Sequence, residues 1–195
     1  MALMDVQLIE RLNNLWRPIY PYLAQWIEQR FPIKRGRILE LGPFSGGISN
    51  AMGNLFPGIR AVCLMHQNEL VLRVRHQFPG NVDFITGSLD ALPFDDKFKI
   101  IISRGAFFFL TPEIIKESYR ALRSGSSALL GGGYGPLTPE KEIQKIAEES
   151  KDLNYKLGKK WISKDELMEM VGTAGVAGSS RIIEEGGLWL LLQKH

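Results

Sequence analysis

The stretch Ile38-Leu39-Glu40-Leu41-Gly42-Pro43-Phe44-Ser45-Gly46-Gly47-Ile48 decides the fold. Three apolar residues and one acid, Glu40, lead directly into a glycine-rich turn. Beyond the turn, Ile48, Met52 and Leu55 recur at helical spacing, so the stretch reads as a buried strand, a tight turn and a helix. Such a turn gathers backbone N–H groups and the positive end of a helix dipole at the carboxyl edge of a sheet, where ligands bind in open α/β folds. The same glycines also fit a plain strand-to-helix turn that needs positive φ.

Working outward, β-rich runs at 37–41, 59–65, 82–85, 98–103 and 126–131 alternate with helical patterns. Leu70, Val71, Val74 and Phe78 mark a second helix, and Ile115, Tyr119 and Leu122 a third, opened by Thr111-Pro112 and closed by Ser124-Gly125. Strands and helices alternating this closely predict crossovers and a parallel sheet covered on both faces. Upstream, residues 5–30 read as two amphipathic helices, Leu8 to Trp16 and Ile19 to Ile27, parted at Pro18. Downstream, Thr138-Pro139 opens a helix carrying Ile143 and Ile146, and the capping box Ser163-Lys164-Asp165-Glu166 starts another with Leu167, Met168 and Val171. Runs at 180–184 and 188–193, joined through Glu185-Gly186-Gly187, form a hairpin. The expected architecture is a doubly wound, mostly parallel α/β sheet of about seven strands with a C-terminal antiparallel hairpin and an N-terminal helical cap. We expect a single domain over 1–195, with the cap at 1–34 and the core at 35–195.

Composition narrows the function. Of 195 residues, 45% are apolar and 23% charged, the balance of a water-soluble globular chain. The net charge of +3 is spread without basic clusters, which argues against a nucleic-acid partner. Met1-Ala2-Leu3-Met4-Asp5 brings in an acid before any apolar run, and nothing approaches the ~18 apolar residues of a membrane span. A lone cysteine, Cys63, offers neither a disulfide nor a thiolate zinc site and fits a cytoplasmic location. His66 and His76 lack metal-ligand spacing, so no metal is expected.

Several chemistries use a turn of this kind, and spacing separates them. A P-loop needs Lys followed by Ser or Thr after its last glycine, whereas Gly47 is followed by Ile48-Ser49. A nicotinamide fingerprint needs glycines at 42, 44 and 47, and position 44 is Phe. A nucleophile elbow at Ser45 would need Gly at position 43, where Pro stands, and a late histidine that only His195 could supply.

The remaining pattern, Glu40-Leu41-Gly42-x-x-x-Gly46 with the terminal hairpin, resembles the class I S-adenosylmethionine-dependent methyltransferases, which have a Rossmann-like fold. The rhythm of Asn81 to Ser88, Ala91-Leu92-Pro93-Phe94-Asp95 and Arg120-Ala121-Leu122-Arg123-Ser124-Gly125 is similar too. The resemblance implies S-adenosylmethionine as cofactor, S-adenosylhomocysteine as product and a small-molecule acceptor. It implies that Glu40, Gly42, Pro43, Phe44 and Gly46 flank the methionyl part, Met65 and His66 the ribose, Gly87, Ser88 and Leu89 the adenine, and that Ser103 faces cofactor and substrate. Three positions depart from the family pattern. Met65 and Ser88 stand where acids usually accept from ribose and adenine, and Phe44 replaces a common Gly. Gln67, Glu69 and Asp90 are the nearby candidates to replace those acids. Candidate acceptor contacts are Arg104, which could hold a carboxylate or phosphate, Tyr134 in the triple-glycine loop, and Tyr20 and Tyr22 on the N-terminal helices. The expected reaction is in-line methyl transfer driven by positioning. The departures keep open a second reading, a non-catalytic module of the same fold that binds a metabolite or protein partner.

Overall fold

The computed structural model describes residues 4–78 and 82–195; Met1-Ala2-Leu3 and Asn81, both used in the sequence reading, lie outside the described residues. Strands β1 (Arg35–Leu41), β2 (Gly58–Met65), β3 (Val82–Thr86), β4 (Phe98–Arg104), β5 (Leu122–Gly133), β6 (Ser180–Ile183) and β7 (Gly187–Lys194) form one sheet in the order β3-β2-β1-β4-β5-β7-β6. The first five are parallel, and β7 pairs antiparallel with both β5 and β6. This is the expected sheet, hairpin included.

Side-chain alternation along each strand supplies two cores. Ile38, Ile100, Ile102, Leu129 and Leu191 point to one face. There they meet α1 (Val6–Leu15), α2 (Tyr20–Arg30), α3 (Gly47–Leu55), α4 (Asn68–Val74) and α6 (Glu140–Lys156). Leu39, Leu41, Ile101, Leu130 and Leu190 point to the other, against α5 (Pro112–Ala121) and α7 (Lys164–Thr173). The capping box forms as read: Ser163 accepts from the Glu166 N–H while Glu166 accepts from the Ser163 N–H.

Two helix ends differ: α4 stops at Val74, short of Phe78, and α5 stops short of Leu122. Ser124-Gly125 does not end α5, which stops at Ala121; both residues lie within β5. The reason is an irregularity in the ladder: pairing passes from Phe98–Leu122 to Ile100–Ser127, and Gly125, at φ 72°, turns the extra chain. A helix-stop glycine and a bulge glycine have the same left-handed conformation, so composition alone does not separate them. Among the described residues no helix is long and apolar enough to cross a membrane.

Candidate functional site

Sheet order reverses between β1 and β4, which makes the carboxyl ends of those two strands the topological switch point. Both strands leave the sheet on a glycine with positive φ, Gly42 at 99° and Gly105 at 72°. Glu40, fully buried, fastens the first turn: its Oε2 accepts from the Gly46 and Ser49 N–H groups at 3.0 and 2.9 Å, at the start of α3. Burial pushes its carboxyl above the ordinary value, against the pull of those hydrogen bonds. The Ser45 hydroxyl donates to the Gly42 carbonyl at 2.8 Å, and the Ser103 hydroxyl ties β4 to the Leu41 carbonyl at 3.0 Å.

Aromatic rings cover this frame. A Cβ on Gly42 would overlap the Phe109 ring, and one on Gly47 would overlap Tyr20. A Cβ on Gly105 would come within 2.6 Å of Phe44, whose ring lies 5.0 Å from Trp16 and 5.1 Å from Phe108. Gly105 turns β4 into a single 3₁₀ turn, Ala106–Phe108, and Phe109 follows it.

Two hollows lie on either side of this segment. The first, about 380 Å³, is lined by His66, Gly87, Ser88, Leu89, Asp90, Phe109, Thr111 and Ile114. Of the residues assigned to nucleoside contacts, His66, Gly87, Ser88 and Leu89 therefore come together. Met65 does not join them, being fully buried in the core on the α1–α4 side. Among the candidate replacement acids, only Asp90 lines the hollow; it accepts from the Ser88 hydroxyl, which holds its carboxyl below the ordinary value. Gln67 is engaged with the Met4 backbone through two hydrogen bonds of 3.0 and 3.1 Å, and Glu69 pairs with Arg73.

The second hollow, about 310 Å³, opens between α1, α6 and the ends of β4 and β5. Arg104 and Tyr134 both line it. Arg104 is only 4% exposed; its Nε donates to the Gly133 carbonyl at 3.0 Å and its guanidinium stacks 3.5 Å from the centre of the Trp16 ring. Its Nη1 is buried without a hydrogen-bond partner among the described residues. Burial lowers its pKa to about 10, so it is charged at neutral pH. Tyr20 and Tyr22 are not there. Tyr20 packs over Gly47, donates to Asn13 and borders a separate hollow with Arg17 and Asn50, while Tyr22 lines none of these. Of the four residues expected to contact the acceptor, these two therefore do not join Arg104 and Tyr134; Tyr20 is instead engaged in packing over Gly47 and hydrogen-bonding Asn13. Lys151, Lys159 and Trp161 also line the hollow and are the residues that sequence reasoning missed; Trp16 lines it too. The run Lys159-Lys160-Trp161 was the available signal.

A Rossmann-like sheet with a reversed C-terminal hairpin and a glycine turn at its switch point defines a class I methyltransferase fold. Residues 39–130 match the family model described as a methyltransferase domain. The chain is 24% identical over 137 residues to a demethylmenaquinone methyltransferase of Chlorobaculum tepidum; the match covers 69% of this chain and 54% of that protein's length. Its fold is similar to that of a Methanococcus maripaludis protein assigned as an S-adenosyl-L-methionine-dependent methyltransferase, with a TM-score of 0.77, 24% identity and coverage of 100% and 95% of the two chains. It is also similar to a chain of the Haloferax volcanii complex between the Trm112 methyltransferase activator and a methyltransferase, with a TM-score of 0.71, 16% identity and full coverage of both.

Proposed function

We propose that this chain transfers a methyl group from S-adenosylmethionine to a small-molecule acceptor. The observation that carries the reading is the pair of hollows at the switch point, one on each side of the segment from Gly105 to Phe109. The first suits the adenosyl half: Leu89, Phe109 and Ile114 offer apolar walls for a planar base, and Asp90, Ser88 and His66 offer polar groups to amine and diol. The second suits an acceptor. The fit over the turn is tighter, because the Phe109 ring lies against Gly42, where the family places the methionyl part. The donor, when bound, supplies an electrophilic sulfonium methyl. The chain's own contribution is to orient and to exclude water: Trp16, Phe44 and Phe108 form an aromatic wall, and Arg104 presents a fixed charge beside it. No side chain is assigned as a general base. The modest net charge supports a small-molecule partner rather than nucleic acid, and the lone Cys63 fits a cytoplasmic location.

Calorimetry with S-adenosylmethionine and S-adenosylhomocysteine tests this. One-to-one binding that protects the Gly42 turn from hydrogen exchange supports it, and no heat at millimolar ligand overturns it. The contact of Phe109 with Gly42 favours one other reading, a module of this fold that binds its ligand in the second hollow without a methyl donor.

A further inference from the structure

The second hollow has an unbalanced charge. Arg104, Lys151 and Lys159 line it, and among the described residues no Asp or Glu does. A buried cation with a hydrogen-bonding nitrogen left over is costly, and stacking on one indole returns only part of that cost. Lys159 is half-buried, its pKa lowered by burial and by repulsion from Arg104, so an anion between them would relieve both. The remaining walls are aromatic. Trp16 and Phe108 lie inside, while Trp161, 81% exposed, stands at the mouth with Lys159 5.2 Å from its ring.

We infer that this hollow binds a planar aromatic carboxylate, with the ring against Trp16, Phe108 and Trp161 and the carboxylate on Arg104 and Lys159. A carboxylate matches the planar donor fork that Arg104 presents once Nε is committed to Gly133. A volume of about 310 Å³ holds one or two fused rings. As an acceptor class the inference rests on the methyltransferase reading, but binding is measured without any donor.

The probe is 2-naphthoate, titrated into the full chain by calorimetry and followed by the four indole N–H resonances. The expected result is one-to-one binding, with 2-naphthamide weaker by about tenfold or more because it lacks the charge. The Trp16 and Trp161 signals should move, while Trp26 and Trp189, which pair with each other at 5.4 Å elsewhere, should not. Lys159→Gln and Trp161→Ala should each weaken binding about threefold or more without lowering Tm, since Trp161 is exposed and the lysine charge that Gln removes is itself disfavoured by burial and by Arg104. Arg104→Gln should abolish binding if it folds. Equal binding of the amide, binding of inorganic phosphate as tight as that of naphthoate, shifts confined to Trp26 or Trp189, or no saturable heat overturns the inference. Donor binding with no naphthoate binding overturns this inference alone; naphthoate binding with no donor binding overturns the methyltransferase reading alone.

Discussion

The ring of Phe109 lies against the backbone of Gly42, so the turn at the end of β1 is covered by the segment that follows β4. Both residues are at the switch point, and Phe109 also lines the nucleoside-side hollow. If the donor passes over Gly42, this ring has to swing away or shrink. Phe109→Leu is therefore expected to tighten S-adenosylhomocysteine binding several-fold while lowering Tm by a few degrees, less than the roughly 3–5 kcal/mol of full truncation to alanine. Weaker binding in calorimetry would make Phe109 a wall of the base pocket instead of a gate.

Gly42→Ala should be costly on two counts: φ of 99° strains any L side chain, and the new Cβ meets Phe109. We expect more than about 1 kcal/mol of destabilisation and loss of donor binding. The double variant with Phe109→Leu separates the counts, because it should recover the overlap cost and leave the backbone strain. Strictly additive chemical-denaturation energies would place the whole effect in the backbone.

Much of this was legible in the sequence because glycine and proline punctuate it. The strand, turn and helix from Ile38 to Leu55, the break at Pro18 and the hairpin through Gly186 each follow from residues whose conformational options are few. Ser124-Gly125 was misread because a left-handed glycine serves a bulge as well as a helix end. The second hollow was only half legible. Arg104 and Tyr134 sit at strand ends, where position predicts placement, but Lys159 and Trp161 reach the site from the chain beyond α6. Contacts over such separations depend on how helices pack, and local pattern does not encode that.

Met65 makes the same point in one residue. Its position at the end of β2 suggested the ribose, yet its side chain is fully buried among the residues of the α1–α4 core and lines neither hollow. An acid there would be buried without a partner. Met65→Asp is expected to lower Tm by several degrees with no gain in donor affinity. Tighter binding at unchanged Tm would show that the strand end opens toward the ligand.

Glu40 supplies a pH test of the turn itself. Its carboxyl is raised first by burial, and the amide hydrogen bonds of Gly46 and Ser49 only partly offset that. A carboxyl whose folded pKa exceeds its unfolded value favours folding most below the unfolded value and loses that contribution as pH rises through the folded one. Once ionised, Glu40 is therefore a burden on the fold. Gln keeps an oxygen to accept from both N–H groups and has no charge to bury. The Tm of Glu40→Gln relative to wild type should rise with pH above the ordinary carboxylate value and level off once Glu40 is ionised. Asp90 and Glu117, whose pKa values are lowered by the Ser88 hydroxyl and by Arg120, act with the opposite sign, since their stabilisation is lost as pH falls. They titrate alike in both proteins and cancel in the difference. A difference that stays flat, or that shrinks as pH rises, would mean that the amides of α3 outweigh burial and that the turn is held by the charge of Glu40.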